Sequence, residues 1–158
     1  MYVLTVILLM FVFPIASVLM EMFLFKTGLG TMFLIGKWFV FWGVGTRFFS
    51  AGLRQSLNPK FTAEEIFEIK SSEPLVVVQE LGFANLSMGL LGIVTIFNAN
   101  WIVPSAIAGG LFYGLAGIKH LTRKRRNLIE NVATFSDMFM FLVLLMYIIE
   151  VIFHGSIL

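Results

Sequence analysis

Cysteine is absent, which excludes a disulfide framework, a thiolate metal site and a thiol nucleophile, and leaves the redox compartment unreadable. Charge is scarce. Lys, Arg, Asp and Glu make up 13% of the chain, too little to clothe a soluble domain of this size. Histidine occurs twice, at His120 and His154, and no HExxH element or repeated histidine box exists. No GxGxxG or Walker pattern is present either, and no nucleotide-driven mechanism is visible. The chain shows no low-complexity segment and no internal repeat, so an inverted-repeat transporter is not supported.

What remains is apolar. Hydrophobic residues reach 59%, with 18 Phe, and the mean hydropathy is +0.95. A polytopic membrane protein fits this balance, since each span needs about 20 mostly apolar residues and the length allows four or five. The expected fold is all-α: a transmembrane helix bundle of five spans forming one integral membrane domain over residues 1–158. Spans are expected near 3–25, 31–51, 74–97, 101–121 and 128–153.

The first span lacks a basic leader and a small-x-small cleavage site, so it is read as retained rather than as a signal peptide. Pro14 predicts a kink, with Ser17 placed to re-satisfy the freed backbone. Lys26-Thr27-Gly28-Leu29-Gly30 predicts a tight turn. After the second span, Gly52 to Pro59 reads as a polar connection. Thr62-Ala63-Glu64-Glu65 is a capping box opening a short amphipathic helix over 62–70, which either lies on the cytoplasmic membrane surface or caps the bundle end. Asn98-Ala99-Asn100 turns the chain between the third and fourth spans.

Arg123, Lys124, Arg125 and Arg126 form the strongest charge run. Placing it in the cytoplasm also puts Arg47, Arg54, Lys60 and Lys70 on that side, so the N-terminus is expected inside and the C-terminus outside. The run is read as a topology signal and a contact for anionic lipid, not as a nucleic-acid site.

On the third span Gly82, Asn85, Gly89 and Gly92 make one narrow stripe, while Glu80, Ala84 and Ser87 fall opposite. Small residues in a row let a neighbouring backbone approach, and a helix with lipid-averse groups on both sides is expected in the centre of the bundle. Gly110 and Gly114 on the fourth span form a second packing face. The sequon Asn85-Leu86-Ser87 is too deep to be glycosylated.

Ionisable groups inside a span cost about 2.5–3.5 kcal/mol each on insertion scales, and so point by default to a site or a pairing network. Glu80, Asn85, His120, Asp137 and Arg47 are expected in the cytoplasmic half, with Arg47 pairing to Asp137 or Glu80. They are the candidates for binding a proton, an ion or a small polar solute; a register-fixing ion-pair network is the competing reading. Glu21, Lys37, Glu150 and His154 form a secondary outer cluster, for which snorkelling is the simpler account. No metal ligand set with diagnostic spacing is found, and a carboxylate site using Glu80, His120, Asp137 and Glu130 is the nearest approach. His120 and His154 fall at opposite faces, so no haem is expected from one chain; the cofactor is otherwise unknown.

The blocks Gln79-Glu80-Leu81-Gly82-Phe83-Ala84-Asn85 and Ala108-Gly109-Gly110-Leu111-Phe112-Tyr113-Gly114-Leu115-Ala116-Gly117-Ile118-Lys119-His120 resemble an uncharacterised family of small prokaryotic polytopic membrane proteins. Ser136-Asp137 is also similar to that family's pattern. The likeness covers residues from Arg47 to Tyr147 and implies a helical bundle in a prokaryotic inner membrane, with no activity and no catalytic residue to carry over. Size and hydropathy loosely resemble DoxX-like membrane proteins. A solute-binding or conducting membrane protein leads over an enzyme. The alternative is a non-catalytic accessory or scaffold subunit, with a homo-oligomer or a larger complex as its setting.

Overall fold

The computed structural model describes residues 2–61, 64, 75–123 and 128–155, and these are helical apart from their connections. Helix α1 spans Tyr2–Phe25, α2 residues 31–57, α3 Leu75–Val94, α4 Ile102–Leu121 and α5 Leu128–His154. Four helices are long and apolar enough to cross a membrane: α1, α3, α5, and α4 with the 3-10 turn Ala99–Trp101 before it. The fifth long helix, α2, carries Lys37, Arg47 and Arg54 and is not among those four. The expected amphipathic helix over 62–70 lies outside the described residues apart from the exposed Glu64, as do Lys124, Arg125 and Arg126.

Local chemistry sets the helix ends. Lys26 adopts a left-handed conformation (φ 48°) after α1, and Gly28 follows with φ 73°, which glycine takes without a Cβ clash. The connection expected from Gly52 is instead helix: α2 continues to Leu57 and stops where Asn58, with φ −139° and ψ 71°, precedes Pro59. Proline disfavours helical geometry in the residue before it, whereas Gly52 alone does not end a helix. At the other end of the bundle the Asn98 side chain accepts from the Asn100 amide at 3.1 Å.

In α1 a π-helical stretch, Leu8–Val12, immediately precedes the α-helical turn that holds Pro14. A widened turn is one way to accommodate the missing proline donor. Ser17, however, does not serve the backbone there; its Oγ accepts from the Trp42 indole at 3.0 Å. Wide stretches also occur at Met20–Phe25, closing α1, and at Val40–Thr46, in the middle of α2.

Helix α2 touches all four of the others. The apolar core is built from Val6 and Met10 of α1, Val40 and Val44 of α2, and Met140 and Leu144 of α5, with Ile102, Ala106 and Tyr113 of α4. The periphery is also apolar, including Leu24, Phe83, Phe97, Leu115, Phe135 and Phe153. Such a surface suits acyl chains and would be an aggregation hazard in water.

Helix α3 is not central. It packs mainly on α2, with Gly82, Asn85, Gly89 and Gly92 buried and Glu80, Ala84 and Ser87 exposed. The contact is backbone on backbone: a Cβ on Gly92 would lie 2.6 Å from Gly45 Cα, and one on Gly52 would lie 2.7 Å from the Gly82 carbonyl. The glycines of α4 differ among themselves. A Cβ on Gly114 would meet the Phe141 ring at 2.8 Å, whereas one on Gly110 would sit 3.5 Å from Leu144 Cβ, an ordinary contact. Gly92→Ala should therefore lower stability by about 1–3 kcal/mol, the range for overpacking. Gly110→Ala should be neutral or gain up to about 1 kcal/mol from helix propensity. Thermal unfolding of the detergent-solubilised variants measures both.

Candidate functional site

At the end of the bundle where α2 and α4 finish, the helices leave a cavity of about 160 Å³. Tyr2, Arg47, Gln55, Asn85, His120 and Asp137 supply its polar wall; Phe48, Leu81, Phe112, Ala116 and Ala133 are among its apolar lining. At 1.5 Å per residue, Arg47 lies about 15 Å from Leu57, Asn85 about 15 Å from Leu75, and Asp137 about 14 Å from Leu128. Three helices thus deliver their polar groups to one level.

Four of the five sequence candidates, Arg47, Asn85, His120 and Asp137, line this space, and Glu80 does not. The glycine stripe takes the side of α3 that faces α2, so Glu80 is carried to the opposite, exposed side. The expected convergence of Glu80 with Asp137 is absent for that reason. Nor does Arg47 pair with either carboxylate within 4.0 Å. Its Nη2 donates to the Tyr2 hydroxyl at 3.2 Å, and its guanidinium carbon lies 5.5 Å from the Tyr2 ring centroid.

Three further groups stand beside the solute-binding candidates: Gln55 and Tyr113, which the sequence reading did not single out, and Glu130, which it named only in the carboxylate site with Glu80, His120 and Asp137. Asn85, 3% exposed, donates from Nδ2 to Gln55 Oε1 at 2.7 Å. Gln55 was hidden because it lies in a segment read as a loop. Glu130, 2% exposed, receives Arg123 Nη1 at 2.9 Å and lies 3.2 Å from His120 Nδ1. Its clue was the face it shares with Thr134 and Asp137. Tyr113 donates its hydroxyl to the Gly43 carbonyl in the wide stretch of α2, tying α4 to α2 beside the cavity. Of the cavity-lining residues, two keep a buried polar atom with no partner among the described residues: Arg47 at Nε and Asn85 at Oδ1. Thr134 and Ser136, by contrast, return their hydroxyls to their own helix at Glu130 and Ala133.

The expected outer cluster divides in two. Glu21, 6% exposed, takes Lys37 Nζ at 2.8 Å and the Trp38 indole at 2.7 Å, joining α1 to α2. Glu150 and His154 pair at 3.2 Å along one turn of α5, with His154 exposed, and do not join the first pair. Among the described residues no group of three or more His, Asp or Glu side chains is placed to hold a metal ion.

The Asn85 and Gln55 amides can be tested as a pair. Asn85→Leu should cost about 1–2 kcal/mol, because interhelical hydrogen bonds within a membrane are modest. Adding Gln55→Leu should recover most of that loss, since replacing both partners removes the orphaned amide. A double-mutant cycle on thermal unfolding reads the coupling.

No curated protein and no solved structure matches the chain. A family model covers residues 2–155, nearly its whole length. The chain therefore belongs to a family of unknown function, DUF6790.

Proposed function

We propose that this is a multi-pass membrane protein that binds or passes a small polar solute through the cavity between Arg47 and Asp137. All five long helices span the bilayer, α2 shielded by the other four, with the N-terminus cytoplasmic and the C-terminus outside. In a prokaryotic cell the bilayer is the inner membrane. The cavity then lies in the cytoplasmic half, and Arg123 meets anionic headgroups there.

One observation carries the reading. Polar groups from α2, α3 and α5 meet at one depth in an open space, with Arg47 Nε and Asn85 Oδ1 unpartnered. A network serving only to fix helix register would satisfy its own members, because an unpaired buried polar atom costs about 1–3 kcal/mol. The scaffold alternative draws on the exposed Glu80, Ala84 and Ser87 side of α3. It draws less on the glycines, since Gly82, Gly89 and Gly92 meet α2, and Gly114 meets α5, within one chain. The DoxX-like plan adds nothing to the choice.

Native mass spectrometry of gently extracted protein tests the proposal. Wild type should carry a non-covalent adduct smaller than a phospholipid, and Ala116→Phe, which fills the cavity, should lose it while keeping its helical circular dichroism. An adduct retained in full by Ala116→Phe, or none on wild type, counts against the cavity.

A further inference from the structure

Arg47 and Asp137 reach the cavity from different helices at nearly the same depth, yet their charged atoms remain more than 4.0 Å apart. Had they served only to cancel each other, contact would have given the larger Coulombic gain. Asp137 accepts no hydrogen bond from a described residue. Arg47 is held in place from one side by the Tyr2 hydroxyl and ring, and its Nε is buried without a partner. The other basic side chains on the wall are engaged elsewhere: His120 through Nδ1 with Glu130, and Arg54 in an interaction of its own.

Two side chains of opposite charge that line one largely apolar cavity without touching match a molecule that carries both signs. An anion alone would satisfy Arg47 and meet repulsion from Asp137. A cation alone would leave the guanidinium unmatched. The space of about 160 Å³ admits roughly ten non-hydrogen atoms, judged from the volume a buried water needs. Phe48, Leu81 and Phe112 line the same cavity and offer contact for an apolar body.

Building on the solute-binding reading above, we propose that the ligand is a small zwitterion with an apolar body, of the amino-acid class. Its carboxylate sits on Arg47 and its ammonium on Asp137. Asn85 Oδ1, buried and unpartnered on the same wall, is a second acceptor for the ammonium. Arg47 suits its role because a guanidinium receives a carboxylate through two parallel N–H donors.

Three probes of nearly one shape separate the contributions on purified full-length protein by isothermal titration calorimetry: leucine, 4-methylpentanoate without the ammonium, and 3-methylbutylamine without the carboxylate. Leucine should bind at least tenfold more tightly than either. Asp137→Asn should erase its advantage over 4-methylpentanoate, and Arg47→Gln its advantage over 3-methylbutylamine. If Arg47→Gln does not fold, Arg47→Lys keeps the charge without the fork and should weaken leucine several-fold. Wild-type protein binding 4-methylpentanoate as tightly as leucine would overturn the zwitterion and leave the solute cavity standing. Failure to bind any of the three would overturn it too. Leucine binding unchanged by Ala116→Phe would instead sink the cavity reading itself.

Discussion

A helix bearing Lys37, Arg47 and Arg54 cannot stand alone in hydrocarbon, where each uncompensated charge costs several kcal/mol and no water is at hand. With α2 crossing the bilayer, as proposed above, that constraint explains its place. It lies against the four more apolar helices, and its charged side chains find company on them: Lys37 on Glu21 of α1, Arg47 on Tyr2 of α1. The Trp42 indole is satisfied by Ser17 in the same interface. The most polar long helix is thus an organiser of the bundle, and the cavity forms where its lower half meets α3, α4 and α5.

The contacts that surround α2 are of two kinds. Towards α1, α4 and α5 side chains such as Val40, Val44 and Phe48 interdigitate, and Gly36 and Gly43 admit the Tyr147 ring and the Met140 side chain of α5. Towards α3 it packs through glycine, with Gly45 against Gly92 and Gly52 against Gly82. Lipid tails are as apolar as leucine, so association inside a bilayer gains from close approach and interhelical hydrogen bonds rather than from hiding apolar area. Asn85 and Gln55 supply such a bond within the same seam. The seam therefore fixes the height at which α3 contributes Asn85 to the cavity wall.

Much of this was legible from residue type and spacing. The long apolar runs, the Lys26–Gly30 reversal and the Asn98 turn follow from local chemistry. Arg47, Asn85, His120 and Asp137 were visible as polar residues expected in the same half of the bilayer. What escaped was direction and extent. The side of α3 that faces inward depends on how many helices flank it, so Glu80 was placed inside when α3 has its main neighbour on one side. The end of α2 was set too early at Gly52, and Gln55 went with it. Glu130 shares a face with Asp137, but its tie to His120 and Arg123 depends on how closely α4 and α5 approach.

The wide turns at Val40–Thr46 bear on how Arg47 comes to point inward. A π-helical turn amounts to one extra residue in an α-helix, and each residue turns the following chain through about 100°. Residues on either side of such a turn do not lie on a single straight stripe. The upper part of α2, which greets Glu21, and the lower part, which greets the cavity, are phased independently. One rod thereby serves two azimuths, and a helical wheel drawn through its whole length would misplace the side chains beyond the wide turns.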